Sequence, residues 1–145
     1  MNAIKKFIKQ FTNKRIEGIE KVGREYFLVN KNTMDVSEKI NREPFSMGIL
    51  LGDKKKEFKP TPALLDLIAK QSDRKVFINR EAEWLFLCGR DIFEVNIVKQ
   101  NVDRGVVLVQ NERDENLGFG LFKTQKGNKL IKNILDKGYY LRREK

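Results

Sequence analysis

Apolar and polar positions along the chain change period several times, and each change marks an element. Residues 3–15 (AIKKFIKQFTNKR) place Ile4, Phe7, Ile8 and Phe11 on one helical face, with Lys5, Lys6 and Lys9 outside it. The expectation is a helix that docks this stripe on its own domain, in preference to a basic amphipathic helix lying on a membrane. From Val22 the pattern becomes extended. Apolar residues 26–29, turn residues 30–32, then Met34 and Val36 predict a hairpin, followed by a short helical turn over 37–40 that stops before Pro44. Residues 45–51 predict a buried strand, 52–56 a solvated turn and Phe58–Pro60 a further strand. Thr61 then caps a helix with Pro62 at its first position, and Ala63, Leu64, Leu65, Leu67 and Ile68 form its apolar face as far as Gln71.

A polar joint at Ser72-Asp73 precedes residues 75–93 (KVFINREAEWLFLCGRDIF). Val76, Phe77 and Ile78 predict a strand, and residues 81–87 a helix that brings Trp84, Leu85, Leu87 and Cys88 round at helical spacing. Asn79 is its expected cap, and with Arg80 beside it this helix start offers backbone N–H groups to phosphate. A Gly-Arg turn follows. Residues 95–98 and 106–109 predict strands, the second buried on both faces, and 111–116 a charged hairpin tip. Two glycines interrupt the next strand, LGFGLF at 117–122; a bulge, a tight barrel corner or close backbone approach explains them, and a corner suffices. Residues 128–135 read as an amphipathic helix with Leu130, Ile131, Ile134 and Leu135 inward, Gly138 as its exit cap and 139–141 as a last strand. Short strands at regular spacing predict a small barrel. The expected fold class is α+β, with an N-terminal α/β domain over 1–72 packed on a mixed β-barrel with short helices over 73–145.

Composition narrows the chemistry. The 145 residues lack histidine and hold one cysteine, which removes the commonest general base, any internal disulfide and a credible zinc set. No catalytic residue, metal or cofactor is expected, and Cys88, in an apolar run, is expected to be a buried structural thiol. No apolar run reaches the ~18 residues of a membrane span. A cytoplasmic monomer without membrane contact is expected, nucleolar if the cell is eukaryotic. Thirty Lys and Arg against twenty Asp and Glu leave a net charge of +10, which favours a polyanionic partner. That charge is uneven: residues 73–122 hold seven basic and nine acidic residues, and 123–145 eight basic and two acidic. Lys126, Lys129, Lys132, Lys137, Arg142, Arg143 and Lys145 therefore make the C-terminal piece the expected RNA-binding face, with Arg80 and Arg90 as its opposite wall. Tyr139, Tyr140 and Trp84 have the chemistry to stack bases, although aromatics on strands and helices are more often core.

The second half resembles a PUA domain, the small mixed barrel named for pseudouridine synthases and archaeosine transglycosylases. GRDIF, LGFG and the closing pattern Asp136-x-Gly138-x-Tyr140-Leu141-Arg142 carry the resemblance. Over residues 25–145 the chain is similar to archaeal-type members of the Nip-seven family of ribosome-assembly factors, with DVSEKI, EAEWLFLCGRDIF and LGFG as matching blocks. The resemblance implies a non-catalytic factor of large-subunit rRNA maturation whose PUA domain binds rRNA or pre-rRNA among large-subunit precursors and assembly factors. It places Arg142 and Arg143 at the family's basic terminal positions and Arg90 in a turn where PUA domains approach RNA. Lys145 and the other lysines extend this on electrostatic grounds. A translation factor of the same two-domain plan and the RNA-binding subunit of an RNA-modifying enzyme are the alternatives.

Overall fold

The computed structural model describes residues 2–29 and 48–143, and the chain divides into two units, 1–67 and 68–145. The expected strand around Met34 and Val36 and the helical turn at 37–40 lie outside the described residues.

In the first unit, α1 (Asn2–Lys9) buries Ile4, Phe7 and Ile8, and Phe11 follows them inward just past its end. Phe7 packs its ring 5.3 Å from that of Phe58, and Tyr26 meets Phe58 edge-on at 5.6 Å. An antiparallel sheet in the order β1-β2-β3-β4 completes the unit, from β1 (Ile19–Val22), β2 (Glu25–Leu28), β3 (Ile49–Lys54) and β4 (Phe58–Pro60). β1 was not legible because it is largely exposed and shows no alternation; its hairpin with β2 turns at Gly23-Arg24. β3 also absorbs Gly52, Asp53 and Lys54, where a turn was expected, because Gly52 pairs with Tyr26 on one side and Pro60 on the other. The next helix, α2 (Pro62–Gln71), starts as expected. Thr61 Oγ1 accepts from Leu64 N at 3.5 Å and donates to the Leu50 carbonyl at 2.7 Å. The division between units falls inside α2, upstream of the Ser72-Asp73 joint.

The second unit is a six-stranded sheet in the order β6-β10-β9-β8-β5-β7. Its strands are β5 (Lys75–Ile78), β6 (Ile92–Phe93), β7 (Ile97–Gln100), β8 (Gly105–Gln110), β9 (Asn116–Gln125) and β10 (Asn128–Asp136). β5 pairs parallel with β8, and the other neighbours are antiparallel. A 3-10 helix, Glu94–Asn96, joins β6 to β7, the two outermost strands, and delays the expected 95–98 strand to Ile97. Laid flat, six strands at ~4.8 Å spacing would hold those edges about 24 Å apart. Four residues of chain reach only about 14 Å. The sheet must therefore curl into a half-barrel, and Val76, Ile78, Val107, Val109, Phe122 and Ile131 fill its concave side together with Ala82 and Phe86 of α3 (Arg80–Leu87).

The expected helix over 128–135 is instead the strand β10, and the expected last strand is the helix α4 (Lys137–Arg143). Lys126 and Gly127, at φ +53° and +80°, make a two-residue hairpin turn, after which β10 stays in register with β9 from Asn128 opposite Gln125 onward. A bulge at Ile134 then breaks the strand's alternation, which is why Leu130, Ile131, Ile134 and Leu135 mimic helical spacing. The LGFG glycines lie opposite this irregularity. Gly118, at φ +144°, runs so close to the Leu135 carbonyl oxygen that any Cβ there would overlap it, so close backbone approach accounts for this glycine.

Candidate nucleic-acid interface

α3 organises one end of the second unit. Asn79 caps it: its Oδ1 accepts from Ala82 N at 2.9 Å, while its Nδ2 donates to Asn96 Oδ1 at 3.1 Å. Glu81 and Glu83 already complement the positive end of the helix dipole, so the start of α3 is a poorer phosphate site than its cap implied. Only Ala82 and Phe86 are fully buried. Trp84, at 70% exposure, and Cys88 both face solvent, which corrects the expectation of a buried thiol. Trp84, Leu87, Arg80, Asn111 and Arg113 line a groove of about 500 Å³ together with Glu83 and Glu112. Asn111 fastens the far side of this groove: its Nδ2 donates to Glu115 Oε1 at 2.8 Å and to Glu83 Oε2 at 3.2 Å. The hydrogen bond from Asn111, the charge of Arg113 beside it and the more distant Lys137 hold the Glu115 carboxyl below its ordinary value.

The other end of α3 is held by residues from β10 and α4. Gly89 ends the helix at φ +94°, with Gly89 N donating to the Phe86 carbonyl at 2.9 Å and Arg90 N to that of Leu85 at 3.0 Å. Asn133 Nδ2 donates to the Phe86 carbonyl at 3.0 Å, and Arg142 Nη1 to that of Leu87 at 2.6 Å. Asp136, almost fully buried, accepts from Tyr139 N at 2.8 Å and so caps α4, while Arg142 Nη2 lies 3.5 Å from the same oxygen. Gly138 belongs to this knot. It is not a helix exit but the point where α4 presses on α3, and a Cβ there would overlap the Leu87 carbonyl oxygen. The Asp-x-Gly-x-Tyr-Leu-Arg pattern is thus first of all a device that joins two helices.

The residues expected on one basic face separate into two groups. Arg142 sits beside the Gly89-Arg90 turn, 3.8 Å from where a Cβ on Gly89 would be, and Arg90 is exposed there. Arg80 stands at the opposite end of α3, about 12 Å along the helix axis, in the Trp84 groove. Tyr140 is half-buried against Tyr139, ring centroids 5.5 Å apart, and burial followed by that neighbour pushes its phenol up to about 12. It is not a free stacking platform. Lys126, in the turn before β10, and Lys129, near the start of that strand and roughly 23 Å from Asp136 along it, line a groove of about 460 Å³ with the exposed Phe93 and Val95. Lys132 points from β10 on the face opposite the buried Ile131, and Lys137 opens α4. Arg143 closes α4, and Lys145 lies outside the described residues. The sequence named Trp84 as an aromatic able to stack bases but held no sign of its exposure, because an eight-residue helix buried through one alanine and one phenylalanine leaves no signal for it. The exposure of Phe93, on the two-residue edge strand β6, had no signal either.

Among the described residues no group of three or more His, Cys, Asp or Glu is placed to hold a metal ion, and no helix is long and apolar enough to cross a membrane. A curled mixed sheet whose terminal helix locks onto the helix after its first strand defines the second unit as a PUA-type domain. Residues 74–145 match the family model of the UPF0113 PUA domain. The chain is 27% identical over 132 residues to a UPF0113 protein of Archaeoglobus fulgidus, covering 84% of this chain and 75% of that protein. It is also similar in fold to a conserved PUA domain protein from Thermoplasma acidophilum, at a TM-score of 0.51 and 15% identity over 94% of this chain and 89% of that one. A PUA domain suggests RNA binding.

Proposed function

We propose that the chain is a non-catalytic RNA-binding factor of ribosome biogenesis, acting on large-subunit rRNA or its precursors as Nip-seven proteins do. The observation that carries this reading is the match of residues 74–145 to a PUA domain model in the part of the chain where eight basic residues meet two acids beyond residue 122. On this reading a domain over 73–145 holds the RNA and an N-terminal α/β domain over 1–72 precedes it. Arg90 neutralises phosphates beside α3, where Arg142 shapes the face, and Arg143 adds its charge to the C-terminal run. Arg80 and Trp84 extend that face along α3, where the indole offers a flat apolar surface to an unstacked base. Lys126 and Lys129 with Phe93 make a second contact for a longer strand.

Fluorescence tests the placement, because Trp84 is the sole tryptophan. Titration with single-stranded rRNA segments is expected to quench it, with an affinity that falls steeply between low and moderate salt. Affinity that stays flat with salt would sink the electrostatic face. Co-sedimentation in cell extracts tests the biological assignment: the chain is expected with immature large subunits, and its appearance with small subunits alone would favour a translation factor.

A further inference from the structure

We infer that the first unit carries its own RNA-phosphate site, in the groove between α1 and the loop that follows it. This extends the RNA-binding reading and rests on it. The groove encloses about 470 Å³ and is lined by Lys5, Lys9, Lys14 and Arg15, with Glu17 as the one acid on its wall. α1 turns its apolar stripe inward, leaving its lysines in solvent. Lys5 and Lys9 stand one helical turn apart, about 5–6 Å between Cβ atoms, a step that suits successive phosphates of an extended strand. The helix closes where Phe11 N and Thr12 N both donate to the Ile8 carbonyl, at 3.0 and 3.1 Å. Thr12 Oγ1 then accepts from Lys14 N at 3.1 Å and turns the chain back, so that Lys14 and Arg15 line the same groove. Gly18 ends the loop against β2, its carbonyl accepting from Val29 N at 2.8 Å.

Four exposed cations around one groove repel one another, and among the described residues no ion pair joins any of them. Lys9 lies in the last turn of α1, where the negative end of the helix favours a cation. Lys14 and Arg15 lie past that helix and gain nothing comparable. A polyanion offsets the repulsion. Between the two common polyanionic surfaces, insertion into a membrane as an amphipathic helix would need the apolar stripe of α1, which the unit's own core occupies, whereas cations spaced around a groove suit the phosphates of an RNA strand.

The test uses the full chain, a single-stranded RNA oligonucleotide and anisotropy titrations across a salt series. Replacing Lys5, Lys9, Lys14 and Arg15 together by alanine is expected to reduce the slope of log affinity against log salt by about 3, at ~0.7 per phosphate contact. A loop-only variant, Lys14→Glu with Arg15→Glu, leaves α1 intact and is expected to weaken binding at least tenfold with an unchanged melting temperature. Wild-type binding with an unaltered slope in the four-residue variant overturns the site while leaving a PUA-based RNA reading standing. Failure of the wild-type chain to bind RNA removes both. Binding to phosphatidylserine vesicles that is lost in the four-residue variant, while RNA binding persists, also overturns the inference.

Discussion

Arg142 is the residue at which a structural and an RNA-binding role make opposite predictions. Its guanidinium donates 2.6 Å to the Leu87 carbonyl and lies 3.5 Å from the buried Asp136 carboxylate, with the side chain half exposed. A hydrogen bond from a charged donor contributes ~1.5–3 kcal/mol. Half exposure puts this one at the lower end, and the wider ion pair adds less than ~1 kcal/mol. Arg142→Ala is therefore expected to destabilise the chain by about 1.5–2.5 kcal/mol, which at ~1–3 kcal/mol per molar shifts the urea midpoint by roughly 1 M. Arg90→Ala provides the contrast, because its exposed side chain has no bonded partner among the described residues. It should change stability by less than ~0.5 kcal/mol and lower RNA affinity. Urea melts followed by circular dichroism, paired with RNA titrations, read both. If Arg142→Ala kept the wild-type midpoint and lost RNA affinity, the clamp argument would be wrong and the guanidinium would be a phosphate ligand.

Gly138→Ala is expected to cost ~1–3 kcal/mol through overlap with the Leu87 carbonyl, measured by thermal melts; a wild-type melting temperature would show that α4 does not press on α3. Burial alone would raise the Asp114 carboxyl, but hydrogen bonds from Gln110 and Lys75 and the charge of Lys75 outweigh it and hold the group below 3.8. Its folded value is depressed, so its contribution is complete above the unfolded value and is lost as pH falls through the folded one. Lys75→Gln should flatten the loss of stability in urea melts taken below about pH 4. Tyr140 titrates late: its phenolate absorbance is expected near pH 12 and should vanish in Tyr140→Phe. Because the folded state keeps this phenol neutral while the unfolded chain ionises it from about 10, stability should decline as pH rises between those values.

The elements legible in the sequence are those whose signals are local. α1 declared itself through a lysine face and an apolar face, and α2 and α3 through Thr61 and Asn79, whose capping bonds close within three residues. β10 and α4 were misread because the bulge at Ile134 imposes a helix-like spacing on a strand, and because a Lys126-Gly127 turn lacks the Asn or Asp that usually announces such hairpins. The site followed the same rule. Its cations could be named from charge alone, but their partition into an α3–α4 end and a hairpin-tip end depends on which way β10 runs. The role of Arg142 depends on a carbonyl 55 residues earlier.

That separation bears on synthesis. Leu87 and Asn133 through Arg142 are made far apart in time, yet the Leu87 carbonyl at the end of α3 is met only by Arg142, and Asn133 adds a second donor to the Phe86 carbonyl. β5 likewise waits for β8 before its parallel ladder can form. At ~5–20 residues per second, a nascent chain that has emerged as far as Gly89 spends several seconds with the Leu87 carbonyl unpaired and five of the six strands of its curled sheet missing. The second unit is thus expected to fold late and as a whole, after β10 and α4 clear the ribosome, and truncation before Asn133 should leave an open, protease-sensitive α3.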